Sequence, residues 1–177
     1  MTSQRIYDDL RFWYNTILLS NKMAPLTMLS HIRRAFCTRT HSLQTGSKAS
    51  LTKVFTAEEV KTFSEISQDK NPIHIDPEYA ANTRFGKCIV HGVLLNGLLS
   101  AVCSTKLPGP GAVYLSQELR FVAPAFIDRS VTAEVEVLNI ERLVMTLSTT
   151  VRETETQKVL MEGSARLMIP KHLARGR

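Results

Sequence analysis

One apolar segment restricts the folds open to this chain more than any other feature. Residues 91–105 read HGVLLNGLLSAVCST, and the helix that they predict has apolar side chains on nearly every face. Such a helix is normally buried on all sides. Its two glycines are poor helix formers, so helix propensity alone does not explain the segment. We expect other parts of the chain to enclose it.

Strand-like segments follow this helix after the break LPGPG. They read AVYLSQELRFVAP (112–124), SVTAEVEVLNIE (130–141), LVMTLSTTVRE (143–153) and KVLMEGSARLMI (158–169). Apolar residues alternate along 131–137, which is typical of a strand with one buried face. The short connections predict an antiparallel meander. A further short strand, LTKVF, is predicted at 51–55.

Two more helices are predicted ahead of the apolar one. Thr56 and Glu59 have the spacing of a capping box, which opens a helix over residues 56–67. Residues 76–85 predict a short helix with a proline in its first turn.

The order of these elements predicts an α+β fold. One long antiparallel sheet wrapped around the apolar helix buries that helix, which is the hot-dog arrangement. We assign residues 51–170 to this single domain and residues 171–177 to a basic C-terminal tail. The open edge of so small a sheet favours pairing with a second copy, so we expect a homodimer.

Residues 1–50 form an N-terminal extension of different composition. The formal charge of the chain is +6, and residues 1–53 supply all of it, with eight Lys or Arg against two Asp. No Asp or Glu occurs from Leu10 to Ala57, and the segment is rich in Arg and Ser, as in mitochondrial transit peptides. We expect a disordered presequence that directs the protein to the mitochondrial matrix, with Met23 as the working start.

Composition argues against several function classes. Residues 54–177 hold equal numbers of acidic and basic residues, so a nucleic-acid partner is not expected. The apolar run at residues 11–20 is too short for a membrane span. The three cysteines are far apart and form no C-x-x-C motif, which favours neither disulfides nor a zinc knuckle.

The loop SQDKNPIHIDPEYA (67–80) carries the candidate chemistry. Asp69 and His74 lie five residues apart in a turn held by Asn71 and Pro72. A carboxylate and an imidazole facing one site suit general acid–base catalysis. Two other interpretations stay open at this point: a polar turn with a core histidine, and a metal site that uses His74, Asp76 and His91.

The start of the apolar helix is the second candidate. Gly92 has no side chain to block its N–H, and a helix N-terminus offers unpaired N–H groups to an oxyanion. His91 is expected to be a capping or core histidine. Asn96 and Ser100 lie four residues apart on the helix and so share a face; they line the site or satisfy one another.

These motifs resemble a known family. DKNPIHIDPEYA, FGKCIVHGVLLNGLLSAV and LPGPGAVYLSQELRFVAPAFIDRSVTAEVEV resemble the MaoC-like (R)-specific enoyl-CoA hydratases over residues 53–169. The resemblance implies a hot-dog homodimer without metal or other cofactor, with Asp69 and His74 as the catalytic pair. It further implies that the Gly92 amide binds the thioester oxygen and that Ser100 and Asn71 belong to the site. The implied substrates are acyl thioesters of acyl carrier protein or coenzyme A.

Two rival functions are compatible with the same fold. A hot-dog acyl thioesterase needs a carboxylate on or beside the central helix, and residues 92–105 contain none. A non-catalytic acyl-thioester-binding module has no reason to keep both Asp69 and His74.

Overall fold

The computed structural model of the protein describes residues 43–174. The predicted transit peptide and the predicted start at Met23 lie outside these residues. The domain boundaries at residues 51 and 170 stay predictions, and the first strand already begins at Lys48. No helix within the described range is both long and apolar enough to cross a membrane.

Five helices lie between and after the strands in this range. They are α1 (Ala57–Ser67), α2 (Pro72–Ile75), α3 (Pro77–Ala81), α4 (Gly92–Thr105) and α5 (Lys171–Ala174). The capping box at α1 is confirmed, because Thr56 Oγ1 accepts from the Glu59 N–H while Glu59 accepts from the Thr56 N–H. The short helix α2 was not predicted, since its four residues are too few for a periodic pattern.

The five strands form one antiparallel sheet. They are β1 (Lys48–Val54), β2 (Val113–Phe121), β3 (Ser130–Glu141), β4 (Val144–Glu153) and β5 (Val159–Met168). Their order in space is β1-β3-β4-β5-β2. The alternation predicted for β3 is confirmed, with Val131, Ala133, Val135 and Val137 all buried.

The predicted meander is wrong for β2. This strand pairs with β5, the last strand, instead of with β3, its neighbour in sequence. Both edges of β3 are already occupied, by β1 and by β4, so β2 adds to the free edge of β5. Gly163 of β5 permits this pairing, because a Cβ there would lie 2.0 Å from the carbonyl oxygen of Glu118 on β2.

Helix α4 packs against β1, β3 and β4, as the hot-dog fold requires. Leu95, Leu98, Leu99, Val102 and Cys103 face this core and are buried. The prediction of burial on all sides is nevertheless wrong for the single chain, since Val93 is 66% exposed and Ser100 is also exposed. The sheet covers one side of the helix and leaves the other side open.

Candidate active site

The loop after α1 presents Asp69. Helix α1 ends at Ser67, and the next residue, Gln68, has a left-handed φ of 63° that turns the chain away from the helix axis. The Asp69 carboxylate is exposed and accepts a hydrogen bond from the Asn71 N–H at 3.3 Å. The side chain of Asn71 in turn caps α2 by accepting from the Ile73 N–H. Asn71 thus acts locally as a turn residue that orients the carboxylate.

The tautomer of His74 follows from its hydrogen bond. His74 lies on α2, and its Nδ1 is 2.8 Å from the carbonyl oxygen of Ile89. A carbonyl oxygen only accepts, so Nδ1 carries the proton. In the neutral ring Nε2 then has a free lone pair and can serve as a base. The half-buried side chain lines a cleft of about 570 Å³ together with Ile75, Lys61 and Cys88.

His91 joins these two residues, although the sequence indicated it only as a capping or core histidine or as a metal ligand. Its ring stacks on that of His74 with centroids 3.9 Å apart, and its Nε2 lies 3.1 Å from the main-chain oxygen of Asp69. One ligating side-chain atom each of Asp69, His74 and His91 lies within 4.8 Å of the others. His91 occupies the N-cap position of α4 but makes no capping bond with its side chain. The signal in the sequence was the position of His91 directly before Gly92, at the start of the apolar helix.

The geometry argues against the metal interpretation of this cluster. Asp76, one of the predicted ligands, instead caps α3 by accepting from the Glu78 and Tyr79 N–H groups. The rings of His74 and His91 are only 26° from parallel. Their lone pairs therefore lie in nearly parallel planes and do not converge on one ion, as a compact metal site requires.

The cysteine beside His74 is a poor nucleophile. Free cysteines are commonly buried as small apolar residues; Cys103 is fully buried, whereas Cys88 is only half-buried. Burial raises the pKa of the Cys88 thiol, and the Asp76 carboxylate raises it further. The thiol consequently stays protonated near neutral pH, which disfavours covalent chemistry on sulfur.

Gly92 is the first residue of α4 and follows His91 directly. Because it lies in the first turn, its N–H has no partner within the helix. A Cβ at this position would come to 2.6 Å from Cε1 of Phe121, so the ring of Phe121 lies directly over the glycine. A side chain at this position would therefore have to displace the ring of Phe121.

Ser100 lies in a different depression from His74. Asn96 and Ser100 do share a face, as predicted, and together with Tyr114 and Gln117 of β2 they line a cavity of about 250 Å³. The Oδ1 atom of Asn96 is buried and has no hydrogen-bond partner within residues 43–174. His74 lines the other cleft, and neither depression is lined by Asp69 or Gly92.

Comparison with known proteins identifies the family. Residues 39–159 match the MaoC-like domain over more than half of the chain. The chain belongs to the MaoC-like family. A MaoC-like relative, the (R)-specific enoyl-CoA hydratase of Aeromonas caviae, is 44% identical over 131 residues, which cover 73% of this chain and 97% of that protein.

Two further comparisons extend this result. The mitochondrial 3-hydroxyacyl-acyl-carrier-protein dehydratase of Arabidopsis thaliana is 31% identical and matches 72% of this chain and 78% of that protein. The solved structure of the A. caviae (R)-hydratase involved in PHA biosynthesis superimposes with a TM-score of 0.71 at 42% identity. It covers 73% of this chain and 99% of that chain, and so confirms the hot-dog fold.

Proposed function

We propose that this protein is an (R)-specific 2-enoyl-thioester hydratase, which in reverse acts as a (R)-3-hydroxyacyl-thioester dehydratase. The chain is an enzyme of the hydro-lyase class, in keeping with relatives that are named hydratases and dehydratases. One observation carries the proposal. The carboxylate of Asp69 and the imidazole of His74 lie within 4.8 Å of each other, next to the N-terminus of α4.

The proposed reaction uses these groups directly. The substrate carbonyl accepts a hydrogen bond from the Gly92 N–H, which stabilises the enolate that forms on attack. Asp69 and His74 hold one water molecule, and Nε2 of His74 takes a proton from it as its oxygen bonds to C3. The pair then delivers a proton to C2 on the same face. Dehydration follows these steps in reverse, with one water released.

Ser100 and Asn71 are proposed to have supporting roles. Ser100 lines the cavity beside β2, where it is available to an acyl chain extending along α4 from Gly92. Asn71 orients the Asp69 carboxylate through its N–H. Neither side chain is within the cluster of Asp69, His74 and His91.

We further propose that the physiological substrates are carried by acyl carrier protein in the mitochondrial matrix, as a dehydration step of fatty acid synthesis. Two observations support this. The acid-free, Arg- and Ser-rich extension is typical of a transit peptide, and relatives at 30–31% identity bear the names of mitochondrial dehydratases. Coenzyme A thioesters should also react, because both carriers present the same pantetheine thioester.

The active form is proposed to be a homodimer. Strand β2 is an edge of the sheet, and the side of α4 that the sheet leaves open lies beside it. Val93, Leu115 and Phe121 are exposed on these elements, with Phe121 58% exposed. Burial of such apolar side chains against a second copy is favourable.

The rival functions predict different products. A thioesterase releases free thiol, whereas the described part of α4 offers no carboxylate for attack on the thioester carbonyl. A binding module retains acyl thioester without turnover. Neither of these two functions uses the Asp69–His74 pair.

Crotonyl-CoA tests the proposal. We expect the full-length protein to remove the conjugated enoyl absorbance and to yield (R)-3-hydroxybutyryl-CoA. Asp69→Asn and His74→Ala should lower kcat by about 100-fold to 10,000-fold, the usual contribution of a general acid or base. Both variants should keep the circular dichroism spectrum of the wild type. Thiol release without hydration would assign the protein to the thioesterases.

A further inference from the structure

We propose that His91 is a positioning residue of this site. Its Nε2–H holds the main chain of Asp69, and its ring supports the ring of His74, so that the carboxylate and the imidazole face the same substrate. The inference rests on the proposed hydratase function and adds to it a residue that does not itself touch the reacting atoms.

The first link joins His91 to the loop of Asp69. Nε2 of His91 lies 3.1 Å from the main-chain oxygen of Asp69, which accepts the hydrogen bond. The two residues are 22 positions apart in the sequence. Because a carbonyl oxygen only accepts, Nε2 of His91 must carry the proton. Asp69 is exposed, as are all residues from 65 to 71. This bond therefore fixes the loop to the start of α4.

The second link joins His91 to the catalytic ring. The face of His91 lies against His74 with ring centroids 3.9 Å apart, and the ring of Phe63 of α1 is inclined by 65° to that of His91 with centroids 5.1 Å apart. The carbonyl of Ile89 holds Nδ1 of His74 from one side. Together, the hydrogen bond and the stacked ring leave His74 little freedom to rotate, and its Nε2 remains directed to the site.

The third observation is that His91 is held neutral. Its side chain is 1% exposed, and its Nδ1 is buried without a partner in the described part of the chain. Burial lowers the pKa of His91, the hydrogen bond to Asp69 opposes this effect, and His74 lowers the pKa further. The titratable groups whose charge acts on His91 are His74 from α2 and Asp69 from the loop, and Phe63 of α1 packs against its ring. A neutral His91 does not oppose uptake of a proton by His74.

Stability alone does not favour histidine at this position. Ser, Thr, Asp or Asn at an N-cap stabilises a helix by about 1 kcal/mol, and His91 makes no such cap. The unpaired buried Nδ1 costs about 1–3 kcal/mol more. A residue that breaks these local preferences between two candidate catalytic groups indicates a functional constraint.

Three substitutions separate positioning from packing. His91→Phe keeps a flat ring against His74 but removes the donor to Asp69, whereas His91→Gln keeps an N–H donor but removes the ring. Phe63→Leu is the matched packing control, because Phe63 packs against the ring of His91 and neither catalytic candidate is altered. Each full-length variant is assayed for hydration of crotonyl-CoA and for its melting temperature.

We expect the His91 substitutions to lower kcat and to leave KM nearly unchanged. Displacement of the Asp69 loop should lower kcat of His91→Phe by about 100-fold, since misplacement of a reacting group by about 1 Å has this effect. KM should change by less than about threefold, because substrate contacts are retained. The kcat of His91→Gln should be about tenfold higher than that of His91→Phe. Phe63→Leu should keep kcat within about threefold of the wild type, even where its melting temperature falls.

Two results would overturn the inference. One is a kcat within about threefold of the wild type in both His91 variants. The other is a loss of kcat that follows the fall in melting temperature equally in the His91 variants and in Phe63→Leu. If His91→Phe does not fold, the kcat of His91→Gln alone tests the inference. Because His91→Gln keeps the N–H donor, a kcat as low as that of Asp69→Asn would contradict the role of that donor. Failure of the wild type to hydrate crotonyl-CoA overturns the proposed function, and the role of His91 in it.

Discussion

Replacement of Gly92 by alanine tests the oxyanion donor of the proposed mechanism. The new Cβ would lie 2.6 Å from Cε1 and 3.0 Å from Cζ of Phe121, well inside the contact distance of about 3.5–4.0 Å between carbon atoms. Because Phe121 is 58% exposed, its ring can rotate away without disturbing the core. The methyl group and the displaced ring would then crowd the side from which a thioester oxygen approaches the Gly92 amide.

The expected effect is therefore on activity more than on stability. We expect the free energy of unfolding to change by less than about 1 kcal/mol, as for other surface substitutions. Loss of one oxyanion donor lowers kcat by about 100-fold to 1,000-fold, so we expect kcat/KM for crotonyl-CoA to fall by about 100-fold, which corresponds to about 2.7 kcal/mol. Urea unfolding and the decrease in enoyl absorbance measure the two quantities on the same protein.

Gly97 of α4 provides the matched control. A Cβ at Gly97 meets no atom within 4 Å, and alanine in a helix interior is about 0.5–1 kcal/mol more stable than glycine. Gly97→Ala should thus raise stability and leave kcat/KM near that of the wild type. An unchanged kcat/KM in Gly92→Ala would refute the assignment of the amide. An equal loss in Gly97→Ala would show that the effect arises from the helix as a whole.

Three further predictions concern stability. Thr56→Ala removes the capping box with Glu59 and should lower the free energy of unfolding by about 1 kcal/mol in urea titration; no change would mean that water replaces the cap fully. Leu147→Ala opens a cavity at a fully buried position of β4 and should cost about 2–5 kcal/mol, whereas Leu147→Met should cost less than about 1.5 kcal/mol; equal costs would contradict tight packing there. Burial lowers the pKa of His91 from 6.5, so the unfolded chain binds the proton first as the pH falls. The contribution of neutral His91 to stability is complete well above pH 6.5, the ordinary pKa of histidine, and is lost progressively as the pH falls below that value. Between about pH 7.5 and about pH 5.5, the free energy of unfolding of His91→Phe should therefore fall by less than that of the wild type. An equal fall in both proteins would contradict the burial of this ring.

Local patterns in the sequence determined most of the secondary structure. The alternation along β3 and the capping box at Thr56 each depend on residues a few positions apart, and both are confirmed with their bounds. The D-x-N-P-x-H spacing likewise predicted that Asp69 and His74 could face one site, since a short turn joins them. Local propensity and periodicity suffice for such features because the interacting atoms belong to one element or one turn.

Contacts between distant segments were beyond these patterns. The pairing of β2 with β5 depends on which strand edges remain free after β1 and β4 have bound to β3. The open side of α4 depends on how far one sheet can curve around a helix.

The same distinction applies within the site. The sequence alone predicted that Asp69 and His74 could face one site through a short turn, and the resemblance to the MaoC-like hydratases added Gly92. Only the tertiary structure placed His91 flat against His74 and in hydrogen-bond contact with Asp69. No periodicity or local propensity encodes that arrangement, because it requires α1, α2 and α4 to pack together before the two imidazole rings can meet.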